Sequence, residues 1–240
     1  MKIADIYKFL DELSPFELQE GWDNSGLLVG DWNSEVDTVV LSIDLDEALI
    51  ESLPSDSLVI THHPIIFGGL KQLTFNQYPA KLLVPMIKKN IANIAMHTNF
   101  DITHLNDFVA TEILGYEIVQ KDGFVAYLEV NQSYDEFSRQ LKEALGLTHI
   151  RGVKCGDFIT KAALVTGSGA SLLKNIDADC FLTGDIKYHD AMEAKSIGLS
   201  MLDIGHYESE SYFGEILAKH LEKLGLNVII SQSDNPFIYL

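Results

Sequence analysis

Four polar segments, THHP at 61–64, HTNFD at 97–101, TGDIKYHD at 183–190 and DIGHYESE at 203–210, each grow out of a strand-like apolar run. The runs are SLVI (57–60), IANIAM (91–96), DCFLTGD (179–185) and LSMLDIG (199–205). This repeated pairing constrains the fold more than any other feature. In an open parallel sheet the carboxyl ends of the strands share one edge, where ligands bind, so segments far apart in sequence can meet there.

The rest of the pattern agrees. Ile6, Phe9, Leu10 and Leu13 recur at helical spacing, so the chain opens with an amphipathic helix ending near Pro15. WDNSGL (22–27) reads as a loop. TVVLSID (38–44), the helical DEALIESL and SLVI then give a βαβ rhythm and a mainly parallel sheet. A helix is expected between Pro79 and Lys89, kinked or begun at Pro85. Another covers Leu105 to Leu114 and stops at Gly115. A second α/β stretch follows: strand FVAYLEV, a helix from Ser133 to Leu145 with a Ser133/Glu136 capping box, strand KAALVTG, the strand DCFLTGD, a helix from Tyr188 to Ile197 and the strand LSMLDIG. A helix from Tyr207 to Leu224 and a final strand, NVIISQ (227–232), end the chain.

With 240 residues, 47% of them hydrophobic, the chain has ample material for packed cores. Its 17 basic and 35 acidic side chains give 17 − 35 = −18, which repels nucleic acid and anionic membranes. No apolar stretch approaches the roughly 20 residues that span a bilayer, and MKIADIYKFLDEL lacks a signal-peptide core. A cytoplasmic protein is expected. Cys155 and Cys180 stand apart and read as two small buried thiols.

The four segments carry the chemistry. His62 and His63 are adjacent, and neighbours on an extended strand point to opposite sides, so they would serve different metals; the alternative is one capping histidine and one solvated. In HTNFD, Asp101 can bridge two cations and His97 fits a ligand, an orienting residue or a proton carrier, though turn-forming roles suit both equally. His206 and Glu210, four apart at a helix start, share one face; an acidic first turn is the plain alternative. In TGDIKYHD, Lys187 can meet a substrate phosphate and His189 can act as general acid or base. The VTGSGAS turn (165–171) could present backbone N–H groups to phosphate or simply join strand to helix. Histidines with carboxylates compose a dinuclear site suited to zinc, iron, manganese or cobalt rather than calcium.

These motifs, with WDNSGL and the GSG turn in fixed order across nearly the whole length, resemble the NIF3-like family, the GTP cyclohydrolase 1 type 2 homologues. The resemblance implies a NIF3-like fold of two α/β lobes with mainly parallel sheets, the first 1–110 completed by 205–240 and the second 111–204, and a dinuclear metal site at strand ends between them. It implies His62, His63, Asp101, His206 and Glu210 as metal ligands, two divalent ions per chain and a ring-shaped homo-oligomer, commonly a hexamer. Many relatives carry a sizeable inserted middle domain, which this chain is too short to hold. Phe100 stands where many relatives have Leu.

The activity implied is metal-assisted hydrolysis of GTP: opening of the purine imidazole ring with formate release, His97 or His189 moving protons. A phosphoesterase or a damaged-nucleotide hydrolase would use the same ligands, and a metal-stabilised ring that binds protein partners is the non-enzymatic alternative.

Overall fold

The computed structural model describes residues 1–231 and 233–238. Two compact units divide the chain, the first built from Met1–Phe100 and Phe213–Pro236, the second mainly from Asp101–Tyr212.

In the first unit a five-stranded sheet is ordered β1-β4-β3-β2-β11. It comprises β1 (Gly26–Val29), β2 (Thr38–Ser42), β3 (Leu58–Thr61), β4 (Ala92–Ala95) and β11 (Asn227–Ile230). All pairings are parallel except β1 with β4. Val39, Leu41, Leu58, Val59, Ile60 and Ile94 are wholly buried, as expected of parallel strands covered on both faces. Helix Ala80–Lys88, with Pro85 inside it, packs Leu82, Leu83 and Met86 against Val40, Ile50 and Val59. Helix Ile3–Leu13 buries Ile3, Ile6 and Leu10, the face its spacing predicts. Asp46 caps the short helix Glu47–Ser52 by accepting from Leu49 N at 2.7 Å.

The second unit holds β5 (Ile118–Asp122), β6 (Val125–Ser133), β7 (Arg151–Val153), β8 (Phe158–Leu164), β9 (Cys180–Thr183) and β10 (Ser200–Asp203). Their order is β5-β6-β8-β9-β10-β7. Only β8, β9 and β10 run parallel to one another; β5 with β6, β6 with β8 and β10 with β7 are antiparallel. This sheet is therefore mixed. β5 and β7 escape sequence reading because they are edge strands with mostly exposed side chains and no apolar run to mark them. β1 escapes because it is four residues inside a polar loop.

The helix expected at 105–114 starts earlier, at Thr98, and runs to Ile113 with π-helical turns at Asp101–Leu105 and Val109–Ile113. Gly115 follows at φ +71°. The single helix expected from Tyr207 to Leu224 is instead three pieces, His206–Glu210, Phe213–Leu221 and a 3-10 turn Glu222–Leu224. The break at 211–212 is where the chain passes from the second unit to the first. Of the last expected strand, 227–230 is observed, while Gln232 lies outside the described residues. Cys180 is buried in β9 as expected, but Cys155 is exposed in the turn after β7. Among the described residues no helix is long and apolar enough to cross a membrane.

All four polar segments leave the carboxyl ends of mutually parallel strands: THHP and HTNFD from β3 and β4, TGDIKYHD and DIGHYESE from β9 and β10.

Candidate functional site

In the first unit, His62 and His63 do not diverge. One ligand atom from each of His62, His63 and His97 lies within 4.8 Å of the other two, and the His62 and His63 ring centroids are 5.1 Å apart. Opposite orientation requires extended backbone, and β3 ends at Thr61. The Thr61 hydroxyl donates to the His63 carbonyl at 2.9 Å, bending the chain so that both rings turn to one side.

Each imidazole is oriented through Nδ1. His62 is fully buried, packs its ring 5.2 Å from that of Phe213, and donates Nδ1–H to Met96 O at 2.9 Å. His63 Nδ1 meets Asp44 Oδ1 at 2.9 Å, and His97 Nδ1 meets Asp23 Oδ1 at 2.8 Å. A carbonyl or carboxylate at Nδ1 fixes the proton there and leaves Nε2 as the lone-pair nitrogen, the tautomer a metal ligand needs.

Asp23 is the hub that sequence reading passed over inside WDNSGL. Besides His97 it accepts from Asn24 N (2.7 Å), Thr98 N (3.1 Å), Thr98 Oγ1 (2.5 Å) and Ser25 Oγ (3.2 Å). Burial opposes its ionisation, yet the hydrogen bond from His97, with the donors of Thr98 and Asn24, outweighs that and holds the carboxyl far below the usual range. Phe100 is fully buried against Phe213, ring centroids 5.1 Å apart, so the bulkier apolar residue fills core.

The second unit gathers Asp101, His206 and Glu210. Asp101 and Glu210 are 6% and 2% exposed, and a ligand oxygen of each lies within 4.8 Å of the other's. Asp101 opens a π-helical turn, a widened geometry that recurs at functional sites. Asn106, one turn on, pins this helix by accepting from Thr166 N at 2.8 Å and donating to Phe124 O at 3.0 Å. His206 Nδ1 meets Asp185 Oδ2 at 2.7 Å, while its Nε2 lies 3.1 Å from Glu210 Oε2. A nitrogen and a carboxylate oxygen this close could both serve one cation. Glu208 folds back against Gly205 instead.

Gly167 explains the GSG turn. Its φ is +63°, and a Cβ there would collide with Glu210 Oε1. A Cβ on Gly184 would meet the His206 backbone. The turn is no phosphate cradle through its glycines, because Gly167 N donates to Ser209 Oγ at 3.0 Å and Gly169 N to Thr183 Oγ1 at 2.7 Å.

Two sequence candidates lie outside both clusters. His189 is exposed on helix Tyr188–Ile197, its ring against Tyr188. Lys187 precedes that helix and lines a pocket of about 240 Å³ with Arg151, Tyr188 and Asp203.

The profile of the family described as Duf34/NIF3 (NGG1p interacting factor 3) matches residues 1–236. The chain belongs to the NIF3 family. Among NIF3-family relatives, the "GTP cyclohydrolase 1 type 2 homolog" of Campylobacter jejuni is 51% identical over 240 residues, covering all of both chains. The "GTP cyclohydrolase 1 type 2" of Helicobacter pylori is 41% identical over 236 residues, 98% of this chain and 97% of that one. The crystal structure of Staphylococcus aureus protein SA1388 superposes with a TM-score of 0.87 at 27% identity, covering 100% of this chain and 99% of that one. The NIF3-like fold of two α/β units is thereby established, and the buried His, Asp and Glu groups described above can hold a metal ion.

Proposed function

We propose that this NIF3-family protein is a hydrolase that uses two divalent ions per chain to open the imidazole ring of GTP and release formate. The observation that carries the reading is the common wiring of four histidines: His62, His63, His97 and His206 each commit Nδ1 to a carbonyl or carboxylate and so present Nε2 as a lone pair. The proposed ligands are His62, His63, Asp101, His206 and Glu210, and imidazole with carboxylate suits zinc, iron, manganese or cobalt. When bound, such ions supply Lewis acidity and a water that ionises near neutral pH.

The protein's own residues do the remaining work. Asp23 keeps the His97 proton on Nδ1, so His97 can take up and return a proton at Nε2 as the C8–N bond breaks and the ring nitrogen needs one. His97 suits this role better than His189, which stands apart from both clusters. Lys187 remains the proposed phosphate contact, supported by its place at the rim of a pocket. The names of the relatives support a nucleotide substrate. A homo-oligomeric ring, a hexamer, belongs to the same proposal and is supported by the exposed apolar run Leu70, Leu73, Phe75 and Tyr78.

Metal-loaded protein incubated with GTP is expected to yield formate and a pteridine-precursor fluorescence without free phosphate. Phosphate without formate would make it a phosphoesterase, and no turnover with zinc, iron, manganese or cobalt would sink the cyclohydrolase reading. Metal analysis of protein purified without chelator should return about two ions per chain.

A further inference from the structure

Trp22 and Phe67 are 58% and 52% exposed, although large aromatic rings are costly to leave in water. Their centroids lie 5.8 Å apart, and 6.2 and 6.1 Å from that of His97. Neither ring hangs on a loose loop. Trp22 directly precedes Asp23, which is fixed by its bonds to His97, Thr98, Asn24 and Ser25. Phe67 directly follows Ile66, whose carbonyl accepts from Asn24 Nδ2 at 2.5 Å. The result is an anchored, solvent-facing aromatic wall whose inner edge is an imidazole of the first cluster.

Such a wall suits a planar ring. Bases stack on exposed aromatic side chains because every base has a π-face. With a net charge of −18 the chain gives a nucleotide no long-range attraction, so short-range contacts of this kind have to supply affinity. We infer that Trp22 and Phe67 form the platform on which the substrate's planar heteroaromatic base stacks, bringing its five-membered ring against His97. This rests on the proposed purine-ring hydrolase and deepens it, because it assigns recognition of the base to this aromatic pair.

The chain has two tryptophans, so Trp32→Phe leaves Trp22 as the sole indole. The probe is 7-deazaguanosine, which keeps a planar base but lacks the ring nitrogen that hydrolytic opening requires, added to the metal-loaded protein. Its addition is expected to quench the emission of Trp32→Phe protein saturably, and inorganic triphosphate is expected to leave that emission unchanged. By calorimetry Trp22→Leu should bind the probe about tenfold more weakly, within the range lost with one stacked base, and Trp22→Phe should restore most of that loss.

Quenching by triphosphate alone, or unchanged probe affinity in Trp22→Leu, overturns the inference. So does a buried-type indole emission from Trp32→Phe protein before any ligand is added, which would mean that another copy of the chain covers Trp22. Because the titration needs no turnover, the two readings fail separately. Saturable quenching with no formate release under any metal would remove the hydrolase and leave the platform; formate release with an unchanged KM in Trp22→Leu would do the reverse.

Discussion

The cluster in the first unit holds three imidazoles and that in the second one imidazole with two buried carboxylates, and each set is held in place by different means. In the first, orientation comes from hydrogen bonds: Asp23, its side chain wholly buried, binds His97, Thr98, Asn24 and Ser25 together. In the second, the orienting Asp185 is exposed, and room for Glu210 is made by the missing side chain of Gly167. A polar network fixes position by attraction and fails when one member is lost. A steric cradle fixes position by exclusion and fails when something is added.

Four substitutions test that contrast. Glu210→Ala should have the largest effect, a fall in formate release of about a thousandfold, because several kcal/mol of metal-dependent stabilisation is at stake and each 1.36 kcal/mol is tenfold; bound metal, measured by elemental analysis, should fall with it. Activity near wild type would remove the second cluster from the reaction. Asp23→Asn should follow, lowering kcat by about 10- to 100-fold, because the proton-carrying ring of His97 loses the partner that orients it. Thermal denaturation should also detect it, since one change disturbs several bonds at a buried carboxyl.

Asp185→Asn should sit at the low end of that range, about tenfold, with little change in melting temperature because Asp185 is exposed. Equal penalties for the two aspartates, measured as the loss in kcat for formate release, would erase the distinction between network and cradle. His189→Ala should be smallest, within about twofold in rate, as for a surface change worth under about 0.5 kcal/mol. A hundredfold loss there would restore His189 to the reaction.

The polar segments were legible because each follows a run such as LVIT or CFLT that is buried throughout, and continuous burial leaves a local apolar signature. β5 and β7 left none, since their side chains are largely exposed. Nor did the turn of His62 and His63 to one side, which depends on the Thr61 hydroxyl reaching the His63 carbonyl, or the break at 211–212 in a stretch whose spacing reads as one helix. The glycines of the GSG turn were visible, but their purpose was not: the side chain that Gly167 clears space for is Glu210.

The sequence by itself determined the continuously buried strands and which residue types stand at their ends, because hydrophobic periodicity and turn chemistry are properties of neighbours along the chain. Tertiary structure alone decided which partner each histidine keeps. Asp23 with His97, Asp185 with His206 and Asp44 with His63 are separated by 74, 21 and 19 residues. A hydrogen bond acts over about 3 Å of space, so only the folded backbone sets which carboxylate reaches which ring.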